Sequence, residues 1–230
     1  MVNIDTVYQT VLAIANKEQR GYVTPQEFNL FANQAQMEIF EQYFYDENQF
    51  SRIPGNSTEY SDMLDLLKEK ISIFRQEANI ALSLSSGLGV FPFSMYRLGN
   101  IHVGTSKEYK VQEVNKDELL NINNSIIAPS LTTPVFIKNG NEFTVYPIGA
   151  YSGSIVTYIK SPAPVNWSYN VIDENAIYYP NSSAHFELHP SEQTSLVMKI
   201  LSYAGITLKD NTLYQVGEAS EVKKTQQEKQ

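Results

Sequence analysis

The hydrophobic residues of this chain keep two different periods, and the order of those periods restricts the fold more than any other feature. Residues 3–17 place Ile4, Val7, Val11, Leu12 and Ile14 three to four apart, which predicts a helix ended near Gly21. Thr24, Pro25, Gln26 and Glu27 then supply an N-cap hydroxyl, a proline at the first helical position and a carboxylate able to close a capping box. The stripe Phe28, Phe31, Ala32, Ala35, Ile39, Phe40 and Tyr43 continues that helix, with Gln34, Glu38 and Glu41 on other faces. After the Pro-Gly break within 53–56, Met63, Leu64, Leu67, Ile71, Phe74 and Ala78 predict a third helix from about Glu59 to Leu82.

The pattern then changes. SGLGVFPFSMYRLGNIHVG mixes glycine and proline with aromatic and aliphatic residues, the punctuation of a domain entrance followed by short strands. EYKVQEV alternates from Glu108, NKDELLNIN predicts a short helix capped by Asn115, and PVFI and EFTVYPI flank Asn139-Gly140, which predicts a hairpin with a type I′ turn. A further strand over 154–159 ends at Pro162 and Pro164. Helical spacing returns after His189 or Pro190 in Leu196, Val197, Ile200, Leu201 and Ala204, with Gly205 as the stop. The expectation is an α+β fold. A helical part over 1–86 is completed by a C-terminal helix within 183–212, a β-rich part occupies 87–182, and 213–230 form a polar tail. No period of repeat length recurs, which sets aside solenoids and propellers.

Composition narrows the function. With 42% hydrophobic and only 18% charged residues the chain belongs to the folded class. Seventeen Lys and Arg against 25 Asp and Glu leave a net charge of −8, which removes the diffuse phosphate attraction that sequence-reading DNA binders depend on. There is no cysteine, so thiolate metal sites, iron–sulfur clusters, thiol nucleophiles and disulfides are excluded. The start of the chain lacks the basic and apolar regions of a secretory signal, and no apolar run approaches a bilayer span, so a soluble protein that is not exported is expected. The sequons at Asn56, Asn123, Asn166 and Asn181 are then chance matches.

Few residues suggest chemistry. His185 and His189 in HFELH are spaced as metal ligands on one helix face, but Phe186 stands where the zincin pattern needs Glu, and Pro190 marks a helix boundary. Capping and surface roles suit these histidines better. No serine sits in a nucleophile elbow, and Ser86-Gly87-Leu88-Gly89 lacks the lysine of a phosphate loop, so that string reads as a hinge. Asp62 with Asp65, and Asp173 with Glu174, read as solvated charge. The residues thus predict no enzyme, no cofactor and no metal. Two aromatic clusters stand out instead, Tyr43, Phe44, Tyr45 and Phe50 in EQYFYDENQF and Tyr178 and Tyr179 beside Ile177 and Pro180. They carry more ring area than one helical stripe can turn inward, and serve either as core or as interface.

Several segments together resemble a known family. VYQTVLAIANKEQRGYVTPQEFNLFANQAQMEIFEQYF resembles the N-terminal region of structural proteins of tailed bacteriophages, including crAss-like and marine short-tailed phages. VQEVNKDELL, PVFI, NGNEFTVYP and IVTYIKSPAPVNW resemble their middle β region, and ELHPSEQTSLVMKILSYAGI their C-terminal helix. The similarity spans most of residues 7–208 and its motifs are structural. In architecture the chain is similar to the tail adaptor, or head-to-tail connector, proteins that form rings beneath the portal.

The resemblance implies a virion protein that acts mechanically. Its copies would form a homo-oligomeric ring, commonly of twelve subunits, joining the portal to other tail or ring proteins around a channel through which DNA passes only as cargo; no membrane is involved. An acidic lumen fits, because it repels a duplex that a basic one would hold. Tyr43, Phe44, Tyr45, Phe50, Tyr178, Tyr179 and Tyr214 are the candidate interface residues, and the tail is expected to order against a neighbour. A peripheral tail-fibre adaptor is the alternative, and a virion-associated hydrolase a more distant one.

Overall fold

The computed structural model describes residues 1–17, 23–51, 58–104, 108–123, 125–173 and 175–207. Along the chain come α1 (Ile4–Lys17), α2 (Pro25–Ser51), α3 (Thr58–Ser72), β1 (Arg75–Ala81), β2 (Leu88–Val90), β3 (Met95–Val103), β4 (Tyr109–Glu113) and α4 (Lys116–Asn123). They are followed by β5 (Val135–Asn139), β6 (Glu142–Tyr146), β7 (Gly153–Lys160), β8 (Tyr169–Ile172), β9 (Asn175–Tyr178) and α5 (Gln193–Thr207). The protein is a mixed α+β chain of two units, Met1–Ile73 with Pro162–Gln230, and Phe74–Ser161.

In the helical unit the start signal read at Thr24 is present, and α1 has a cap of its own. Asn3 Oδ1 accepts the Asp5 and Thr6 amides at the head of α1. At the head of α2, Thr24 Oγ1 accepts the Glu27 amide at 3.3 Å, while Glu27 Oε2 accepts the Thr24 amide at 3.0 Å and the Thr24 hydroxyl at 2.8 Å. This is the reciprocal capping box, and its two donors hold the Glu27 carboxyl below its ordinary value. Ile4, Val7, Tyr8, Val11 and Ala15 of α1, Phe28, Ala32, Ala35, Ile39, Phe40 and Tyr43 of α2, and Leu196, Val197, Ile200, Leu201 and Ala204 of α5 are buried. α2 packs on α5 and α3, and α1 packs on α5. Two ion pairs tie these helices at their margins, Lys70 to Glu192 at 2.7 Å and Lys199 to Glu38 at 3.1 Å. The Tyr203 hydroxyl also donates to Glu38. Burial pushes the Glu38 carboxyl up, but Tyr203 and Lys199 outweigh it and hold the group below its ordinary value.

Three expectations are corrected here. The helix expected to reach Leu82 ends at Ser72, and Arg75–Ala81 is a strand in full register with β7, from Arg75 opposite Ile159 to Ala81 opposite Gly153. Ile71, Phe74 and Ala78 imitate a helical stripe, but Ala78, Ile80 and Leu82 also keep a period of two and face the sheet core, and pairing along the whole strand decides between the readings. The change from helices to strands therefore falls at Phe74 rather than after 86, and residues 162–182, expected in the β-rich part, lie in the helical unit. At the other end α5 runs through a buried Gly205 to Thr207 instead of stopping at the glycine. Gly21, expected to end the first helix, and the tail from 213 lie outside the described residues.

The sheet unit holds seven strands in the order β1-β7-β3-β4-β5-β6-β2. All pairs are antiparallel except β4 with β5, which α4 connects as a crossover. The two end strands are neighbours in sequence, and the sheet curls until they touch. One inner cluster, with Phe91, Ile101, Val111, Phe136, Phe143, Val156 and Tyr158 at its centre, draws on every strand of this sheet except the short β2, after which Phe91 joins it. Outside it, Leu119 of α4 meets Val135 and Ile137, the face of β5 opposite to Phe136. The predicted hairpin is present, but Asn139 pairs with Glu142, so the loop is Gly140-Asn141. Of these two only Gly140 has positive φ, at 59°, as a type II′ turn with glycine first requires, and the expected I′ register is shifted by one residue. Ser86-Gly87-Leu88-Gly89 is a packed turn entering β2 rather than a hinge, with both glycines buried.

Candidate interaction surface

Residues 163–167 are extended; on one side Asn166 bridges Ala184 through two backbone hydrogen bonds, and on the other a face of α2 stands where a strand would. Gln36 Nε2 donates to the Ala163 carbonyl at 2.8 Å, and Asn33 accepts the Val165 amide and donates to its carbonyl, both at 2.9 Å. Asn29 does the same for Trp167, at 2.7 and 3.2 Å. Four residues of helix rise about 6 Å and two of strand about 6.7 Å, so amides at i, i+4 and i+7 match alternate residues of an extended chain. Each carboxamide offers both donor and acceptor, as a neighbouring strand does. The signal in the sequence was the Asn29, Asn33 and Gln36 spacing, which the apolar stripe beside it obscured.

This ladder seats Trp167, which is 2% exposed and donates its indole N–H to Asp5 at 2.9 Å. Tyr8 lies at 4.4 Å on the ring, and Tyr169 and Tyr178 stack on it at 5.7 and 5.6 Å. Those two tyrosines are paired across β8 and β9, so one tryptophan anchors a two-stranded hairpin that has no further strand beside it among the described residues. The hairpin leaves Val171 67%, Ile172 54% and Ile177 48% exposed, and its turn carries Asp173 at φ 48° followed in sequence by Glu174.

The aromatic residues singled out from sequence separate into different roles. Tyr43 is 4% exposed, a core ring with the Lys70 ammonium over it, which corrects its place among surface candidates. Phe44 is half-buried edge-on to Phe40, and Tyr45 is exposed. Tyr178 anchors the hairpin from its half-buried position and Tyr179 is exposed beside it. The side chain of Phe50, and Tyr214, lie outside the described residues. His185 and His189 do not share a helix face. His185 Nδ1 accepts the Ile4 amide, and His189 caps the 3-10 turn Pro190–Glu192 by accepting the Ser191 amide.

In the sheet unit the surface has a different character. β3 pairs with β4 only over Ile101–Val103, and the strands then part. Leu98–Asn100 pair with β7 on one side, and among the described residues no strand pairs with their other side. The opening is a cleft of about 740 Å³, floored by Leu98, Ile101, Val111 and Phe136 and rimmed by Arg97, Lys110, Lys138 and Glu113. β3 carries a bulge beside it, between Leu98 and Asn100 in its pairing with β7. At Gly99 a Cβ would meet the Thr157 carbonyl oxygen at 2.8 Å, so only glycine lets the bulged strand lie against β7. A second cleft of about 610 Å³ runs past Asn79, His102, Glu108 and Tyr151. Burial, and then Tyr109, push the Tyr151 phenol up, while its O–H donates to the Leu131 carbonyl at 2.6 Å. Phe93 and Ile126 project with no cover at all, and Ile127 and Leu131 are mostly exposed.

Among the described residues no helix is long and apolar enough to cross a membrane, and no three His, Asp or Glu gather as metal ligands. The chain matches no protein-family model and no curated protein.

Proposed function

We propose that this chain is a structural subunit of a tailed-phage virion, a ring element that joins the portal to the tail around the DNA channel. In this reading the helices from both ends of the chain act as one bundle and the β-rich part between them meets neighbouring proteins. The observation that supports it is apolar surface held outward on ordered elements of both units. Val171, Ile172 and Ile177 ride on an anchored hairpin, and Phe93 and Ile126 stand fully exposed, while each core is closed without them. We take these side chains as parts of surfaces that are covered in assembly. Multiple copies in a closed ring need two unlike surfaces per subunit, which a two-unit chain can supply. The net charge of −8 suits a wall past which DNA slides.

Electron microscopy of the full chain mixed with the portal protein encoded beside it tests this. Rotationally symmetric density added to one face of the portal is the expected result. No binding under saturating conditions would transfer the assignment to a peripheral fibre adaptor. Removal of residues 213–230 is expected to impair docking and leave the melting transition unchanged; an equal loss of both would overturn the role proposed for the tail.

A further inference from the structure

The ribbon that ends in β8 and β9 is held at its base and bare at its tip. At the base α2 carboxamides take 163–167, Asn166 pairs with Ala184, and Val2 pairs with Phe186. Past Trp167 only β8 and β9 remain, and among the described residues no strand lies along the outer edge of either. Their register sets the two faces. Tyr169 and Tyr178 stand opposite each other on the Trp167 side, and Val171 on that side is 67% exposed. Ile172 and Ile177 share the other side, both exposed, and Tyr179 continues it. Two strands with open edges and apolar side chains on both faces are marginal alone and gain from a third.

The sequence offers one. Thr212, Leu213, Tyr214, Gln215 and Val216 are rich in β-branched and aromatic residues, and no charge occurs from Asn211 to Gly217. In an extended chain Leu213 falls on one face and Tyr214 and Val216 on the other, so this stretch too is apolar on both sides. It lies outside the described residues, but the place it starts from is set. α5 runs antiparallel to α2, with Lys199 at Glu38 and Tyr203 against Phe31, and so ends toward the end of α2 at which Asn29 holds Trp167. Residues 208–211 then give Thr212 a reach of at most about 17 Å from Thr207, enough for an adjoining copy and no farther.

We propose that Thr212–Val216 of one copy adds as a third strand to the β8–β9 hairpin of the next copy. Backbone hydrogen bonds to the open edge supply the register, and each face of the hairpin gains an apolar neighbour from the added strand. The contact is heterologous, since tail and hairpin are different surfaces, so it passes from copy to copy and closes into a ring when the rotation allows. In this arrangement the tail stabilises its neighbour and not its own copy, in keeping with the unchanged melting expected when 213–230 are removed. The inference deepens the ring proposal, on which it rests for the expectation that identical copies meet.

The absence of cysteine makes a direct test possible. Acceptor chains carry Asn170→Cys or Asn175→Cys, one on each strand and both on the Ile172 face. Donor chains carry Leu213→Cys, Tyr214→Cys, Gln215→Cys or Val216→Cys. Full-length donors and acceptors are mixed and oxidised, alone at high concentration and again with the portal protein. The expected result is a disulfide-linked heterodimer whose yield alternates along the tail. Positions of one parity should give about tenfold more than their neighbours, because every second residue of an added strand shares a face with the acceptor cysteine. A uniform yield, the mark of a loose tether, overturns the proposal. So does the lack of any heterodimer from variants that melt like the parent, and so does a chain with both cysteines that closes on itself in the portal mixture. A second arm removes backbone donors: Leu213→Pro with Tyr214→Pro, in the Gln215→Cys and Val216→Cys donors, is expected to lower the higher yield about tenfold. An unchanged yield counts against strand addition. Microscopy of the same portal mixture separates the two proposals. A ring without the alternating disulfide removes the tail contact and keeps the connector, and the disulfide without a ring does the reverse.

Discussion

Residues 163–167 and residues 98–100 are both extended segments with one side in need of partners, and the chain treats them in opposite ways. The first is closed by three carboxamides of α2 spaced to imitate a strand, and that closure seats Trp167 and the hairpin beyond it. The second pairs with β7 on one side only and opens into a cleft. The contrast separates a polar interface that holds a fold together from an open edge available to something outside it. A buried edge without partners costs free energy for every missed hydrogen bond, whereas an edge at a solvent-filled cleft is satisfied by water until a strand displaces it.

If that contrast is right, the largest loss belongs to the closed segment. Trp167→Ala removes the ring on which Tyr8, Tyr169 and Tyr178 pack, and is expected to cost about 3–5 kcal/mol in denaturant unfolding of the helical unit. Asn33→Ala strands the Val165 amide and carbonyl, for an expected loss of about 2 kcal/mol. Asn100→Ala at the open edge should change stability by no more than about 0.5 kcal/mol. Equal losses for these two asparagines would break the comparison. Gly99→Val drives a side chain toward the Thr157 carbonyl and is expected to cost about 1–2 kcal/mol in the sheet unit, with hydrogen exchange rising along β3 and β7.

The caps act locally, with an effect below those at Trp167 and Asn33. Thr24→Ala should cost about 1 kcal/mol. Glu27 and Glu38 both have folded-state values lowered from 4.5, so the stability they add is present above that value and is lost as pH falls through the lowered ones. Glu27→Gln is expected to flatten its share of that acid dependence, measured as melting temperature across the acid range.

Much of the helical unit was legible because its signals are local. The Thr24 to Glu27 box and the α2 stripe act within one or two turns, and their geometry follows from residues a few positions apart. The same local logic failed at Ile71, Phe74 and Ala78, where two periods coincide and a strand far along the chain, β7, makes the choice. It failed again at the β8–β9 hairpin, whose aromatic residues read as a cluster but whose anchor is a single tryptophan. Tyr43 and Tyr45, two residues apart on one helix, end as core and surface, because helical geometry turns them to different sides and only packing says which side is covered.

By itself, then, the sequence determined the class of fold, the helix starts, the existence of the β5–β6 hairpin, and the absence of thiol chemistry. These depend on composition and on neighbours within a few residues. Tertiary structure alone decided that Arg75–Ala81 is a strand, that three carboxamides of α2 stand in for a strand, and that β3 bulges at Gly99 against β7. Each of those depends on hydrogen bonds between segments distant in sequence, where the free energy of pairing exceeds the weak local preference that a short stretch of residues can express.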